Sequence, residues 1–561
     1  MLFIGIDVGG TFTDAVLLDR GCVRASAKVP TRDDLLSSLL EALDKIMKGF
    51  SGDLVERVVL STTMITNLIV EKKYDPVGLI LIPGPGLSHK HYQFNTDSHI
   101  IPGAMDYRGR EIIPLRREEI EKAIIDLAAE DYKKVAVVGK FSSRNNRHEK
   151  EVAARVRWNY PDWQVEMGHQ VAGQLNFPRR VVSTMLTCAT REKYEFFVDS
   201  VIGALSQRGI DAPVFILKAD GGTLPLPCST RVPIETIFSG PAASTLGVQA
   251  LTPPGETSVV VDIGGTTTDL ALILSGHPLL ASKGAAIDDY LTHVRALAVK
   301  SVPVGGDSIV ERVGKEIIIY SERLGPPFCQ GGPLPTPTDA LRVLGLTRLG
   351  DQDRAREAMN TLGKPLGLSA GETANRVCDL VIDTIATEIQ HMFTQWEQEP
   401  AYRVWEVLEK RKERPSTVVG VGGGAAGFIS QIAARLGAYP VIPPYAPVAN
   451  AIGAAVALPT LEVTLRVDTE QGYYSIEEEG FQEALDDANF TEKQALELAS
   501  KWLSKRADKY GLNQRIDDVE IIRREVFNMV RNWVTTGKIY DVHVQTPRGI
   551  LGHIGAGGEL K

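Results

Sequence analysis

One eight-residue pattern, Asp-x-Gly-Gly-Thr-x-Thr-Asp, occurs twice in the chain, from Asp7 to Asp14 and again from Asp262 to Asp269. In each copy an apolar, β-rich run leads into the glycines and a second apolar run follows, which predicts a strand, a tight turn and a second strand. Paired glycines let backbone N–H groups approach an anion closely, and threonine hydroxyls add neutral donors for phosphate oxygens. The repeat therefore indicates two phosphate-binding hairpins.

The aspartates of the repeat fall into two pairs. Asp7 and Asp262 end the first strand of each copy. Because a hard divalent ion prefers carboxylate oxygen, they are predicted either to hold Mg²⁺ through its waters or to orient an attacking hydroxyl. Asp14 and Asp269 are interpreted as caps of the turns. A plain hairpin explains a single copy equally well, but two matching copies favour the functional interpretation.

A third glycine-rich segment, Val418–Gly427, begins with a β-rich run, and the amphipathic stretch Phe428–Leu436 follows it. This order predicts a strand, a glycine turn and a helix whose N-terminus carries partial positive charge. A dinucleotide fingerprint is the alternative. It is disfavoured because the glycine spacing fits loosely and no acidic residue occurs in Val441–Tyr445, about twenty residues on. We interpret the turn as a contact for adenosine.

Two phosphate hairpins followed by an adenosine turn resemble the actin, sugar-kinase and Hsp70 ATPase superfamily. Four further segments are similar to the hydantoinase A, 5-oxoprolinase and acetone carboxylase family. They are Leu60–Glu71, Asp220–Gly222, Pro233–Ala243, which contains Ser-Gly-Pro-Ala, and Thr336–Ala340. The similarity runs from residue 1 to about residue 460.

The resemblance implies an α/β fold with two ribonuclease-H-like ATPase lobes around a nucleotide cleft and a small α+β C-terminal domain. It implies ATP and Mg²⁺ as cofactors, with Asp7 and Asp262 as catalytic and metal-holding residues. Phosphate contacts are expected at Gly9, Gly10, Thr11, Thr13, Gly264, Gly265, Thr266 and Thr267, and adenosine contacts at Gly422, Gly423 and Gly424.

The expected function is that of an ATP-dependent hydrolase subunit that phosphorylates a lactam or hydantoin carbonyl for ring opening. The expected partners are a small cyclic amide or ketone substrate and a separate hydantoinase B-type subunit. A ketone carboxylase subunit, an ATP-gated regulatory or chaperone-like protein and a sugar kinase stay open as alternatives. The segments between the hairpins favour the hydantoinase group over the last two.

The chain departs from the family pattern at several positions. Asp307 stands where a Gly-Gly-Gly-Ser run is usual, and we interpret it as a metal ligand or, with more weight, a turn residue. Thr187 and Cys188 replace a typical Asn-Ala pair, so the substrate pocket is expected to differ. His148 is interpreted as structural, and Ser239 as part of a rigid turn into a helix. Cys188 and Cys329 are expected to be buried thiols.

Alternating helical and apolar β-like segments imply an α/β organisation. Helices are predicted at Asp33–Lys48, Arg116–Ala129, His148–Trp158, Val181–Leu205, Ala370–Glu397 and Thr491–Tyr510, and strands at Val55–Leu60, Val77–Ile82, Val135–Val138 and Val214–Leu217. Three domains are expected: an N-terminal lobe at 1–175, a hydantoinase A-type lobe at 176–460 and a small C-terminal domain at 461–561.

Composition excludes several classes of protein. The 561 residues carry a net charge of −9, which argues against binding to a nucleic-acid backbone. Apolar runs such as Ala449–Pro459 are too short to span a bilayer, and Asp7 interrupts the apolar stretch that a signal peptide needs. The five cysteines are scattered and show no CxxC spacing. These features predict a cytoplasmic protein without a membrane segment.

Overall fold

The structure is a computed structural model that describes residues 2–86, 98–287, 290–399, 412–485, 487, 489–510, 512, 519–531 and 533–554. Within these ranges, no helix combines the length and the hydropathy that crossing a membrane requires.

The elements fall into three stretches of chain. The first contains β1 (Leu2–Val8), β2 (Phe12–Asp19), β3 (Cys22–Pro30), α1 (Leu35–Ile46), β4 (Val55–Thr62), α2 (Met64–Val70), β5 (Gly78–Ile82), β6 (Ser98–Ile100), β7 (Ala104–Met105), β8 (Glu111–Ile113), α3 (Arg117–Ala129), β9 (Lys134–Gly139), α4 (Arg147–Asn159), β10 (Gln164–Met167) and α5 (Gly168–Val171). The second contains α6 (Phe177–Ser206), β11 (Val214–Leu217), β12 (Thr223–Pro225), α7 (Leu226–Ser229), α8 (Ser239–Leu251), β13 (Ser258–Ile263), β14 (Thr268–Leu274), β15 (His277–Pro278), β16 (Ala286–Ile287), β17 (Tyr290–Leu291), β18 (Val299–Val302), β19 (Val310–Val313), β20 (Glu316–Ile319), α9 (Pro337–Val343), α10 (Gln352–Gly363), α11 (Ala370–Glu397), β21 (Thr417–Val421), α12 (Ala425–Leu436), β22 (Tyr439–Val441) and α13 (Ala449–Val456). The third contains β23 (Glu462–Asp468), β24 (Tyr473–Ile476), β25 (Phe481–Ala484), α14 (Glu492–Lys509), β26 (Glu520–Arg531) and β27 (Val534–Gln545). Short 3-10 helices lie at Gly52–Leu54, Pro233–Thr236, Phe328–Gln330, Lys364–Leu366, Ala446–Val448 and Glu477–Glu479.

Two six-stranded sheets are built on the same plan. In the first, the strand order is β12-β11-β4-β1-β2-β3; β1 pairs antiparallel with β2 and parallel with β4. In the second, the path is β15-β14-β13-β21-β22, with β18 also paired to β14; β13 pairs antiparallel with β14 and parallel with β21. The repeat in the sequence is therefore a repeat in the fold, with each Gly-Gly-Thr turn joining the first two strands of a sheet.

The first sheet takes strands from two separated parts of the chain. β11 and β12 follow residue 175, where the first predicted lobe ends, and β11 pairs in parallel with β4. A separate parallel sheet, β10-β9-β5-β6, is built only from the first stretch. Helix α6 carries the chain from this sheet back to the first one, and its fully buried Tyr194 belongs to the core of the first sheet.

The core of the second sheet lies mainly under α11 and α12. The long helix α11 repeats apolar side chains at helical spacing, and Val377, Val381, Ile385 and Ile389 are all buried in this core. Ser369 caps its N-terminus in a capping box with Glu372, which satisfies two backbone donors that a helix end leaves free.

The C-terminal stretch forms a five-stranded antiparallel sheet in the order β25-β24-β23-β27-β26. Helix α14 packs against it through Ala495, Ala499 and Leu503, which are fully buried. The mixed-charge helix predicted at Thr491–Tyr510 is thus confirmed as α14.

The other predicted helices and strands are also confirmed, with ends shifted by a few residues. The helix predicted at Asp33–Lys48 is α1, and the one at Val181–Leu205 starts earlier, at Phe177. Asn176 caps α6 and Pro178 occupies its first turn, where proline is tolerated because its missing N–H has no intrahelical partner. The helix predicted at Ala370–Glu397 and the strand at Val214–Leu217 match α11 and β11.

Candidate active site

The two hairpin turns have the same geometry. The Gly9 N–H donates to the Phe12 carbonyl oxygen at 3.1 Å, and the Gly264 N–H donates to the Thr267 carbonyl oxygen at 2.9 Å. Residues 9–11 and 264–266 form the tips of the turns and are half-buried or exposed. The backbone N–H groups of Gly10, Thr11, Gly265 and Thr266 are therefore accessible to an anion, as the phosphate prediction requires.

The predicted phosphate contacts differ in their surroundings. Gly10 and Thr267 are exposed, whereas Thr13 is fully buried and its hydroxyl lies 3.0 Å from the Thr31 hydroxyl. Thr268, the residue of the second copy that matches Thr13, is also fully buried and donates to the Val304 carbonyl oxygen at 2.7 Å. These two buried hydroxyls stabilise the hairpins through their contacts within the protein. A phosphate contact at Thr13 stays a prediction.

A continuous polar chain joins the two hairpins through Asp7, Asn450, Ser244 and Asp262. The Asn450 side-chain amide donates to Asp7 Oδ2 at 3.1 Å. The Ser244 hydroxyl lies 2.5 Å from Asp262 Oδ2 and 2.9 Å from Asn450 Oδ1, and its single proton can go to either acceptor. The structure thus brings together the two aspartates that the sequence singles out.

Close helix packing places the two residues in the middle of this chain. Ser244 lies on α8 and Asn450 on α13, and these helices cross with backbone in contact. A Cβ at Gly247 would come within 2.0 Å of the Ala449 carbonyl oxygen, and one at Gly453 within 2.0 Å of the Ala243 carbonyl oxygen. Only glycine fits at either crossing point. The small residues of 448–458 therefore allow α13 to pack this closely against α8.

Buried negative charge is concentrated at this junction. Burial raises the pKa of Asp7, whereas the Ser61 and Asn450 side chains lower it. Burial also raises the pKa of Asp262, against the effect of Ser244. Oδ1 of Asp7 is buried and has no hydrogen-bond partner of standard geometry within the described residues. A hydrated Mg²⁺ fits these two carboxylates, because a cation both neutralises crowded acids and takes up a free carboxylate oxygen.

Asp14 and Asp269 lie in the strand ladder, so their interpretation as turn caps is wrong. Asp14 is directly opposite Asp7, and Asp269 is directly opposite Asp262. Burial raises the pKa of Asp14 to about 7, although Lys28 Nζ lies 2.7 and 2.9 Å from its two oxygens. Burial, with the charge of Asp262, raises the pKa of Asp269 to about 6. Both side chains add to the demand for a cation at the junction.

The predicted adenosine turn lies against Asp262, and its predicted strand, turn and helix are confirmed. Strand β21 runs parallel to β13 with Val421 beside Asp262. Gly422 follows with a φ of +82°, and a Cβ there would come within 2.4 Å of Asp262 Oδ1. The Gly424 N–H donates to the Ile263 carbonyl oxygen at 3.1 Å, and α12 begins at the next residue. Gly423 has open space around it.

Asp307 is a turn residue that also holds an arginine. Its N–H donates to the Gly265 carbonyl oxygen at 2.7 Å, and its carboxylate pairs with Arg323 at 3.1 Å. The structure describes no group of three or more potential metal-ligating side chains in the ranges given above. Turn geometry and the ion pair therefore account for Asp307. They also place the guanidinium of Arg323, which sequence reasoning missed, beside the second phosphate hairpin.

Comparisons with known proteins identify the family of this chain. A family model described as hydantoinase/oxoprolinase matches residues 180–463, and a second, described as hydantoinase/oxoprolinase N-terminal region, matches residues 3–159. The chain belongs to the hydantoinase/oxoprolinase family.

Individual relatives of this family member are distant. Caprolactamase subunit alpha from Pseudomonas jessenii is 26% identical over 486 residues, which cover 79% of this chain and 68% of the relative. The matches to curated relatives span 60% to 68% of the relatives' own length. The solved structure of ATP-dependent caprolactamase from Pseudomonas jessenii has a TM-score of 0.70 at 21% identity, covering 97% of this chain and 87% of that one. A nucleotide-free acetone carboxylase structure has a TM-score of 0.72 at 18% identity, covering 98% of this chain and 88% of that one. These likenesses show a shared fold.

Other residues of this hydantoinase/oxoprolinase chain that the sequence singled out have structural roles. Ser239 is fully buried; its hydroxyl donates to the Thr62 carbonyl oxygen at 2.9 Å and accepts from the Thr62 N–H at 3.2 Å. His148 is buried with Nε2 2.8 Å from Glu111 Oε1. Cys188 and Cys329 are buried, and burial raises the pKa of both thiols. The burial predicted for the two thiols is confirmed, and the contacts of Ser239 and His148 agree with their structural interpretation.

Glu149, next to His148, is the polar centre of the parallel sheet β10-β9-β5-β6. Its fully buried carboxylate accepts from the Gly139 N–H at 2.7 Å and from the His169 N–H at 2.9 Å, and it contacts His169 Nδ1 at 2.5 Å. Burial opposes ionisation, but the His169 ring, Arg180 and the Gly139 N–H outweigh it and hold the pKa of Glu149 below its ordinary value of 4.5.

We expect Glu149→Gln to reduce the free energy of unfolding by about 3 kcal/mol at pH 7, the cost of breaking a buried charged pair. Because the carboxyl has a lower pKa in the folded chain than in the unfolded chain, its ionisation stabilises the fold above pH 4.5. That contribution is lost as the pH falls through the folded-state pKa, so the two proteins should converge in acid. Urea unfolding at pH 7 and at a series of lower pH values measures this. Glu151→Gln on the same helix is the control, and an equal loss in both variants would contradict the expectation.

Proposed function

We propose that this chain is an ATP-dependent hydrolase subunit that activates a lactam or hydantoin carbonyl by phosphorylation for ring opening. The observation that carries the proposal is the polar chain from Asp7 through Asn450 and Ser244 to Asp262, which joins two phosphate-type turns at one point. Membership of the hydantoinase/oxoprolinase family and the likeness to an ATP-dependent caprolactamase support the choice of substrate class.

In this proposal the two hairpins clamp the phosphates of ATP from opposite sides. Backbone N–H groups of Gly10 and Thr11 on one turn, and of Gly265 and Thr266 on the other, donate to phosphate oxygens. Gly9 and Gly264, whose own N–H groups close the turns, let the backbone approach the phosphates closely. Thr267 and the turn Gly422–Gly424 add contacts to the nucleotide, the glycines to adenosine. Because phosphoryl transfer demands positioning and charge neutralisation above all, fixed backbone donors supply most of what it needs.

Asp7 and Asp262 would hold Mg²⁺, which neutralises phosphate charge when bound. Asn450 and Ser244 fix the orientation of the two carboxylates through their Oδ2 atoms. The substrate carbonyl oxygen then attacks the γ-phosphorus and ADP leaves. Water adds to the activated carbon and the ring nitrogen leaves it with a proton, which gives an acyl phosphate. A second water hydrolyses the acyl phosphate to the carboxylate and phosphate. The overall reaction consumes one lactam, one ATP and two waters, and yields the open amino acid, ADP and phosphate.

The proposal also covers the fold of the two lobes and a partner subunit. The common plan of the two six-stranded sheets supports an assignment as ribonuclease-H-like lobes around the nucleotide. The relatives include a subunit named caprolactamase alpha, which supports a role for this chain in an assembly with a B-type partner subunit. Such a partner should copurify with the chain from native cells.

The test is MgATP hydrolysis by the purified chain, alone and with its copurifying subunit. Candidate substrates are 5-oxoproline, hydantoin and ε-caprolactam, together with acetone plus bicarbonate. We expect a lactam or hydantoin to raise phosphate release by at least about tenfold, which corresponds to about 1.4 kcal/mol in activation free energy, and to give one ring-opened amine per phosphate. Carboxylated product from a ketone, or ATP binding that no substrate couples to turnover, would overturn the proposal in favour of a carboxylase or a nucleotide-gated regulator.

A further inference from the structure

A polar cavity lies where the first sheet meets the C-terminal sheet. Its volume is about 150 Å³, and its walls include Lys218 after β11, Glu235 in the 3-10 helix Pro233–Thr236, and Glu462 on β23. An engineered cavity of similar volume in another protein holds benzene. The space therefore suits a small ring.

Most charged groups in the wall already have partners. Glu462 pairs with Arg295 at 3.0 Å and His543 at 3.1 Å. Glu477 pairs with Arg144 at 3.1 Å, and Glu478 accepts from the Thr464 N–H at 2.8 and 2.9 Å. The pairs Glu462–Arg295 and Glu477–Arg144 join the C-terminal sheet to the rest of the chain, whereas the Glu478 contact lies within the C-terminal stretch.

Glu235 and Lys218 differ from the other wall residues. Within the described part of the chain, the Glu235 carboxyl makes no hydrogen bond or ion pair, and the Lys218 ammonium has one contact, with Asp220 Oδ2 at 3.4 Å. Burial raises the pKa of Glu235, although Lys218 lowers it. Both side chains are half-buried in the cavity wall, and their own contacts leave hydrogen-bonding capacity unused. A ligand with a complementary acceptor and donor uses that capacity.

The cavity lies at the same edge of the first sheet as the candidate catalytic aspartate. Ile216, two residues before Lys218, lies beside Leu60 on β4, and Leu60 lies beside Ile6 on β1. Asp7 follows Ile6. Two strand spacings, about 10 Å, therefore separate the end of β11 from the end of β1. Ligands of parallel strands bind beyond their carboxyl ends, which is where both groups lie.

We propose that this cavity binds the amide group of the substrate, with the Glu235 carboxyl accepting the ring N–H and the Lys218 ammonium donating to the carbonyl oxygen. The inference rests on the proposed function and deepens it, because it names the residue that selects the substrate class. A ring ketone offers the same carbonyl oxygen but no N–H, so it leaves the Glu235 carboxyl unpaired. A site built to pair with an N–H rejects the analogue that lacks it. Glu235 is thus a specificity-determining residue for lactams over ketones.

Calorimetric titration of the full chain with matched rings tests this inference. The probes are 2-pyrrolidinone and ε-caprolactam, against cyclopentanone and cycloheptanone, which have the same ring sizes without the N–H. We expect at least one lactam to bind at least about tenfold more tightly than its ketone. Glu235→Leu should abolish that preference by weakening the lactam, whereas Glu235→Gln, which keeps a carbonyl acceptor, should retain it. Glu118→Leu, at an exposed glutamate on α3, is the control.

The outcomes separate the cavity from the proposed function. Equal binding of lactam and ketone by the unmodified chain, or a lactam preference that survives in Glu235→Leu, overturns the cavity assignment. If lactam-stimulated ATP hydrolysis persists in that case, the proposed function stands and its substrate binds elsewhere. Loss of the preference in Glu235→Leu, with its rescue in Glu235→Gln, supports the assignment. Thermal unfolding of each variant shows whether it is folded.

Discussion

Replacing Asp7 or Asp262 by asparagine is expected to lower substrate-stimulated MgATP hydrolysis by about 10²- to 10³-fold, the loss typical of removing one preorganised electrostatic group. Asparagine keeps the shape of the side chain and its contact with Asn450 or Ser244, but it removes the negative charge. Burial disfavours that charge at both positions, as the raised pKa values show. We therefore expect the midpoint of thermal unfolding to stay the same or to rise.

The combination of lost turnover and retained stability separates this expectation from simple damage to the fold. Asp211→Asn, at an exposed aspartate before β11, is the matched control and should change neither quantity. Phosphate release measured at saturating substrate, beside thermal unfolding of the same preparations, gives both numbers. Turnover within about twofold of the unmodified chain in both variants would contradict a catalytic role for the two aspartates.

Local features of the site are predictable from sequence, because each carries its own signal. The two Asp-x-Gly-Gly-Thr turns and the glycine turn at Gly422 lie between apolar runs that predict strands and a helix, and all three form as expected. The repeated octad also predicts that the two hairpins have the same function.

Long-range placement is not predictable in the same way. Asn450 and Ser244 lie 206 positions apart and meet only because α8 and α13 cross at Gly247 and Gly453. Both helices read as ordinary small-residue segments, and their glycines were the available signal, since glycines within a helix often mark a close approach.

The motif also does not predict the direction in which each of its side chains points. Thr13 belongs to the repeated octad, yet the strand ladder turns its hydroxyl towards Thr31 and away from solvent. Asp14 belongs to it as well, and the ladder places it across from Asp7 and not at the turn. In a strand, successive side chains point to opposite faces, so a motif that continues into a strand divides its members between the ligand side and the core.

Gly10→Ala is expected to weaken ATP binding by about tenfold or more, equal to about 1.4 kcal/mol, and to leave thermal unfolding unchanged. A Cβ at Gly10 meets no atom within 4 Å, and the turn does not hold Gly10 at a positive φ. The folded chain therefore accepts a methyl group there. If the turn amides approach phosphate as proposed, the methyl group occupies the space that a phosphate oxygen needs.

Gly203→Ala is the matched control for this substitution. Gly203 lies on α6, also with no atom within 4 Å of an added Cβ, and alanine is favoured over glycine in a helix. We expect its ATP affinity to be unchanged and its unfolding midpoint to be the same or slightly higher. Titration with a non-hydrolysable ATP analogue measures both affinities. Because both glycines are open in the free protein, only a phosphate at the first hairpin makes the two variants differ, and equal affinities would place the nucleotide elsewhere.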